Sequence, residues 1–313
     1  MQTLIATIQL RSALGGPIRG DTLFGQLCWA AFHRWGESRL VSLLEGYTAG
    51  RPFAVISDAF PSGYLPRPAL PPHRFNEVPD ADRKAVKKRQ WLPVKHFGKP
   101  LAQWLRYAVA ESEMAVAKAH AEVQPHNTIN RITGTTGTGE FAPYVMPQQW
   151  FAEDQRFDLY IAHDPDRIDV EEIRLLLDDI GLSGYGRDAS IGLGKFDLSG
   201  MEVTGWPAQE NANAWMTLAP CAPQGQGCDP ERSWYQPFTR FGRHGDRAVH
   251  SGRPFKTPVL MADCAALLTP VAYAPAVFAG QGLGGDGSLS KAIEETVQQG
   301  YAPVLPVRLE DTA

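Results

Sequence analysis

The chain has 313 residues, of which 43% are hydrophobic and 20% charged, with a formal net charge of −4. That length suits two domains or one large one, and the composition is that of an ordinary folded protein rather than a disordered or fibrous one. No global basic field announces nucleic acid, so any such recognition is left to local patches, and no apolar run is long enough to span a bilayer.

The four cysteines (28, 221, 228 and 264) form no Cys-x-x-Cys pair and have no histidine at zinc-finger spacing. Cys28 and Cys264 sit in apolar runs and read as buried thiols. With no secretory signal at the start, the expected setting is the reducing cytoplasm. Thirty glycines and 25 prolines predict short elements joined by long, ordered loops.

Residues 3–10, β-branched and partly alternating, predict a strand that Gly15-Gly16-Pro17 breaks. Asp21 is the expected cap of a helix with Leu23, Phe24, Leu27, Cys28 and Ala31 on one face. Arg11, Ser12 and Arg19 lie near the positive end of that helix, either as a phosphate-binding group or as surface arginines in a polar turn. Residues 53–60 predict a second strand, followed by a proline-stiffened excursion that cannot join a central sheet. Arg83, Lys84, Lys87, Lys88 and Arg89, then Lys95, His96 and Lys99, form a basic stretch interleaved with Trp91 and Phe97. It reads as a solvated face or as a nucleic-acid contact.

A helix is expected over 101–119, through Leu101, Trp104, Leu105 and Ala108. From His126 to Tyr144, polar and β-branched residues flank a Gly-rich tip, as in a long hairpin with little to bury. A strand at 156–163 then leads into a helix beginning after Asp169, with Val170, Ile173, Leu176, Leu177 and Ile180 at helical spacing and Gly181 as its stop. Five glycines at 181, 184, 186, 192 and 194 follow, mixed with Arg187, Asp188, Ser190 and Lys195, and a strand begins at Lys195. In a mononucleotide loop the glycines open a helix; here they close one, so the helix dipole at the loop is negative. Phe196 also stands where a Walker loop needs Ser or Thr. The spacing leaves two readings open: a cradle where a phosphodiester backbone meets main-chain N–H groups beside Arg187 and Lys195, or a tight crossover whose polar residues face water.

Past residue 205 the texture changes to a linker, then strands near 215–219, apolar stretches at 258–261 and 265–268, a helix over 288–299 and a strand over 301–309. Arg240, Arg243, Arg247, Arg253 and Lys256 make a further basic segment. Gly282-Leu-Gly-Gly-Asp-Gly287 matches the dinucleotide pattern, but the 26 residues after it are too few for the rest of that sheet. The two halves share one grammar, which suggests two related α+β units. The eight histidines pair with no nucleophile in a known frame and no metal-binding cluster appears, so neither cofactor nor metal is expected. His126 is a candidate general base for RNA cleavage, or a surface or stacking residue.

Several of these stretches together resemble the RAMP proteins of CRISPR effector complexes, nearest the Csm-type subunit four of type III-A. Asp21-Thr-Leu-Phe-Gly-Gln-Leu-Cys-Trp is similar to the start of that family's first helix, and Asp58-Ala-Phe-Pro-Ser-Gly-Tyr-Leu-Pro-Arg-Pro to its continuation. Asn130-Arg-Ile-Thr-Gly-Thr-Thr-Gly resembles its thumb hairpin, and Gly184-Tyr-Gly-Arg-Asp-Ala-Ser-Ile-Gly-Leu-Gly-Lys-Phe its glycine-rich loop. Gly282–Ser288 and the closing 300–307 fit its second half, while residues 75–125 and 221–255 match nothing.

The resemblance implies an α+β fold of two tandem ferredoxin-like (RRM-like) units. The first would cover 1–205, with a thumb hairpin at about 123–145 and the glycine-rich loop at 181–196; the second would cover 206–313. It implies a non-catalytic RNA-binding scaffold that holds the 5′ repeat-derived handle of crRNA. Its partners would be the large polymerase/cyclase-like subunit, which it docks, and the backbone RAMP subunit beside the handle. Carried over by position, Arg19, Arg187, Ser190 and Lys195 would contact handle phosphates. Asn130, Arg131 and Thr133 would lie on the thumb near the RNA, and Gly184, Gly186, Gly192 and Gly194 would permit close backbone approach. Arg131 has a structural alternative, a salt bridge at the hairpin base. An RNA-processing nuclease of the same superfamily and a Cmr-type subunit three remain the alternatives.

Overall fold

The computed structural model describes residues 1–76, 82–114, 119–245, 249 and 252–310. Expectations for Arg247 and for part of the helix at 101–119 therefore lie outside the described residues.

The first half opens with β1 (Gln2–Leu10), α1 (Gly20–Trp35), α2 (Glu37–Leu44) and β2 (Ala54–Ile56). An insertion follows: β3 (Phe60–Pro61), β4 (Tyr64–Pro66), α3 (Arg83–Lys88), β5 (Arg89–Pro93), α4 (Trp104–Tyr107), β6 (Val109–Ala110), β7 (His120–His126) and β8 (Tyr144–Trp150). Then β9 (Arg156–His163), α5 (Val170–Ser183) and β10 (Phe196–Val203) complete the unit. Its sheet runs β10-β1-β9-β2, all antiparallel, with β3 also on β9. Two β-α-β passes interleave in this order, as in a split β-α-β unit. Strict alternation in β1 aims Leu4, Ala6, Ile8 and Leu10 inward. There they meet Leu23, Phe24 and Leu27 of α1 and Ile173, Leu176, Leu177 and Ile180 of α5 in one apolar cluster.

The other side of the sheet is covered too. Tyr160 and Ile5 join a second cluster with Phe60, Phe97, Trp104, Met216 and Leu305, drawn from the insertion and the second half. Phe97 is thus a core residue and no base-stacking platform beside the basic stretch, while Trp91 is half-buried against the same cluster. The 101–119 helix is also not formed. Among the described residues of that stretch only Trp104–Tyr107 is α-helical, because Val109 and Ala110 turn extended to pair with β5.

The second half comprises β11 (Ala214–Thr217), β12 (Pro237–Arg240), β13 (Val259–Ala262), β14 (Leu267–Leu268), β15 (Phe278–Gly284) and β16 (Val297–Val307). Its main sheet runs β14-β11-β16-β15, with β12-β13 a separate ribbon. It does not repeat the order of the first half, and among its described residues there is no α-helix. The helix expected over 288–299 is a turn that gives way to β16, since Val297 pairs with Gly284 and the register then runs to Phe278 and Pro303. The glycine pattern at 282–287 accordingly sits in a β-hairpin and opens no helix.

The halves meet intimately. Tyr301 of β16 lies in the first-half cluster, and its hydroxyl donates to the Tyr47 carbonyl at 2.5 Å. The Gln299 amide exchanges hydrogen bonds with both backbone groups of Ile56, at 2.9 and 2.8 Å. No helix among the described residues is long and apolar enough to cross a membrane.

Candidate nucleic-acid interface

Asp169 and Glu172 form a reciprocal capping box at the start of α5, which fixes where the helix begins. Its end is Gly184, at φ 97°, whose N–H returns to the Ile180 carbonyl at 2.8 Å. The sequence places the stop at Gly181, which is instead helical and buried because its α-carbon lies against β10: a Cβ there would sit 2.2 Å from the Phe196 carbonyl oxygen.

The loop glycines divide into two kinds. At Gly184 a Cβ would meet the Leu193 carbonyl at 2.4 Å, and at Gly194 the Tyr185 carbonyl at 2.1 Å. Those two glycines let the loop close on itself, with the Tyr185 N–H bonded to the Gly194 carbonyl at 2.8 Å. Gly186 and Gly192 also have positive φ, 75° and 99°, but nothing lies within 4 Å of their missing side chains. Close approach by an outside backbone is therefore open at Gly186 and Gly192 and taken up internally at Gly184 and Gly194.

Three segments converge on this loop. Tyr185, buried at its centre, accepts from the Arg19 N–H at 2.8 Å and donates to the Pro17 carbonyl at 3.3 Å, tying the loop to the start of α1. Lys195 is held by its backbone: its N–H donates to the Ser12 hydroxyl at 2.9 Å and its carbonyl accepts from Arg11 at 2.7 Å. Arg187 reaches the hairpin, donating to the Pro147 carbonyl of β8 at 3.1 Å while its Nε lies 3.0 Å from Asp188. Leu14 and Gln149 join the N-terminal turn to the hairpin base through paired backbone hydrogen bonds of 2.9 Å. The N-terminal turn, the glycine loop and the hairpin base thus form one continuous surface. Arg187, Ser190 and Lys195 are exposed on it. The Lys195 ammonium has no acidic partner among the described residues.

The hairpin is long and stands clear of the core. β7 and β8 pair from His120↔Trp150 to His126↔Tyr144, and β7 is exposed along nearly its whole length. Its tip is self-satisfied: the Asn130 carboxamide oxygen accepts from the N–H groups of Ile132 and Thr133 at 2.9 and 3.4 Å, and the Thr133 hydroxyl lies 3.1 Å from that of Thr135. Arg131 is exposed at this tip, away from the hairpin base, and no acidic partner faces it among the described residues. His126 stacks on Tyr144, ring centroids 5.6 Å apart. Sequence reasoning missed the apolar surface here. Val123, Ile129, Ile132, Tyr144 and Val145 are all at least 48% exposed, Ile132 at 95%.

Arg19 stands elsewhere. Its guanidinium contacts Asp58 at 2.9 Å and Asp263 at 2.7 Å and lies over the Phe238 ring. Asp58 also accepts from the Gly20 N–H at 2.8 Å, so a carboxylate of the protein fills the N-terminus of α1. The place suited to phosphate is already occupied by an anion, and Arg19 with it. Burial pushes the Asp58 carboxyl up to about 7, against the pull of Arg19 and the Gly20 N–H. Asp21, expected as the cap, is buried within the helix and pairs with Arg240 through two bonds of 2.6 and 2.5 Å. Arg240 is therefore a structural tie between the halves. In the same segment, Lys256 is shifted down by burial and Arg243 lies over Phe255.

Burial raises the thiols of Cys28 and Cys221 to about 12. Among the described residues no three His, Cys, Asp or Glu side chains are placed to hold a metal.

No family model and no curated protein matches the sequence. Solved structures do match. A chain of the Csm1–Csm4 cassette in complex with pppApA superposes with a TM-score of 0.60 at 18% identity, covering 99% of this chain and 100% of that one. The same cassette in complex with cA4 gives the same TM-score and identity. A chain of the Csm3–Csm4 subcomplex in the type III-A CRISPR-Cas interference complex gives 0.59 at 13% identity, again over 99% and 100% of the two chains. At these identities the likeness is one of fold, and it matches the resemblance that the motifs carry.

Proposed function

We propose that this chain is a non-catalytic RNA-binding scaffold of a type III-A CRISPR effector complex, a Csm4-type RAMP subunit. In this reading it holds the 5′ repeat-derived handle of crRNA and docks the large polymerase/cyclase-like subunit. Csm4 is the one subunit named in both of the matched assemblies, and the chain spans the whole length of a member of each.

The observation that carries the RNA reading is the junction of glycine loop, N-terminal turn and hairpin base around Arg187. A short single strand is held by backbone amides, a few cations and apolar or aromatic faces rather than by a catalytic triad. Gly186 and Gly192 leave the loop backbone open, Arg187 and Lys195 bring charge, and the hairpin adds Tyr144 and exposed aliphatic groups. The negative end of α5 is offset by those two cations. A sheet-face RNA platform of the RRM kind fits less well, since Ile5 and Tyr160 on that face are packed under the insertion.

The finer architecture belongs to the same proposal: the first half is a ferredoxin-like unit, and the β7–β8 hairpin is its thumb. The test is to purify the chain with its host neighbours and sequence the RNA that comes with it. A fixed repeat-derived 5′ handle and a co-purifying large subunit are expected. An assembly free of RNA would overturn the reading. The competing nuclease reading predicts metal-independent cleavage of repeat RNA that His126→Ala abolishes.

A further inference from the structure

The first sheet ends on β10, which pairs on one side only. Backbone bonds at the two ends of its ladder with β1 fix which groups face inward: the Arg11 N–H donates to the Lys195 carbonyl at 2.7 Å, and the Thr204 N–H to the Thr3 carbonyl at 3.2 Å. Alternation from those pairs turns the N–H and C=O groups of Phe196, Leu198, Met201 and Val203 away from β1. The Phe196 carbonyl is covered by Gly181 of α5. The outward groups of Leu198, Met201 and Val203 have no partner among the described residues. A bulge at Ser199, opposite Thr7 and Ile8, sets Leu198 apart from the straight run that ends at Val203. The opposite edge of the sheet is closed, since Gln299 takes both backbone groups of Ile56 in β2.

We infer that this edge receives a strand from a partner protein, an extended segment in which aliphatic residues alternate with Lys or Arg. Main-chain bonds to Met201 and Val203 would supply the pairing, and the two unlike faces of the edge set the alternation. On the helix side Leu198 and Met201 are half-buried against the core, Val203 is 47% exposed, and Leu182 of α5, next to Gly181, is 74% exposed. An aliphatic side chain there would continue the apolar row. On the other face stand Asp197 and Glu202, both exposed. Arg11 pairs with Asp197 at 2.6 Å, whereas Glu202 has no cationic partner among the described residues. A Lys or Arg opposite Glu202 would complete that pair. The same carboxylates argue against nucleic acid. They also argue against a second copy, since antiparallel pairing across residues 201–203 would set one Glu202 directly opposite the other.

The test is amide hydrogen exchange on the full chain, alone and assembled with its host subunits. Alone, the Met201 and Val203 amides should exchange rapidly; in the assembly they should slow by about 100-fold. Val203→Pro removes an outward N–H without taking a bond from the β1 ladder, and Glu202→Lys reverses the charge. Each should leave the melting temperature of the free chain unchanged and cut the protection of Met201 in the assembly by about tenfold, with Glu202→Gln falling between wild type and Glu202→Lys. Should Val203→Pro fail to fold, the exposed Glu202 position decides. Rapid exchange in the assembly, or protection that survives Glu202→Lys, would overturn the inference. Protection that grows in Glu202→Lys would overturn it in favour of an anionic partner, and protection of the free chain that rises with its concentration in favour of a second copy. The inference needs only that the chain is one subunit among others, so an edge left unprotected in an RNA-bearing assembly would leave the RNA reading standing.

Discussion

Gly192 and Gly194 lie two residues apart, both at positive φ, yet they answer to different forces. Gly194→Ala sets a Cβ against the Tyr185 carbonyl and is expected to destabilise the fold by more than about 2 kcal/mol. Gly192→Ala adds only left-handed strain, about 1–2 kcal/mol. Denaturant midpoints compare the two; equal losses would contradict the packing described here. Asp58 gives a pH signature. Its folded pKa of about 7 lies above the ordinary 3.8, so the folded state binds the extra proton between those values. Its contribution to stability is full at low pH and is lost as pH rises through about 7. Asp58→Asn should therefore flatten the fall in melting temperature between about pH 5 and 7, and an unchanged slope would show that this carboxyl titrates normally. None of this was legible in the sequence. The glycine cluster announced a loop, but which glycines face backbone and which face solvent depends on Leu193 and Tyr185 folding back. Arg19 read as a phosphate ligand because Asp263, 244 residues away, cannot be seen beside it.

At the scale of elements, local signals held where one force dominated. The alternation in β1, the start of α5 after Asp169 and the strand ending at His163 all followed from periodicity and capping. Two predicted helices failed where a nearby strand offered pairing: Val109 and Ala110 joined β5, and Val297 joined β15. The β7–β8 hairpin was foreseen, but not how many apolar groups it exposes. Replacing residues 127–143 with an Asn-Gly turn should close β7 directly onto β8, because His126 and Tyr144 are already paired. Fold stability should change by less than about 0.5 kcal/mol, the removed groups being mostly exposed, while RNA affinity falls. An unaltered affinity would remove the hairpin from the interface.

On the whole-molecule scale, the two halves complete one another. Tyr301, Gln299, Asp263 and Arg240 all satisfy groups of the first half. Residues 1–205 alone would leave Asp21 buried without Arg240 and expose the apolar face under Tyr160, so they should not fold cooperatively, whereas the full chain should unfold in one transition. A cooperative melt of 1–205 by itself would contradict this. The family resemblance reached the mixed α and β class with its antiparallel sheets, but not the form of the second half, where short strands carry too little periodicity to distinguish a helix-bearing unit from a bare sheet.

The central claim is that the glycine loop holds a single-stranded RNA end, and handle protection in the assembled complex tests it most directly. Lys195→Ala is the cleaner variant, since Arg187 also anchors the hairpin; the Arg187→Ala/Lys195→Ala pair should abolish protection. For single-stranded RNA, losing Lys195 alone should lower the salt-dependence slope by about 0.7, one phosphate contact. A handle that begins with the repeat sequence and loses its protection in the double variant is the predicted result. Full protection in that variant would make the loop a structural crossover and place the RNA elsewhere on the molecule.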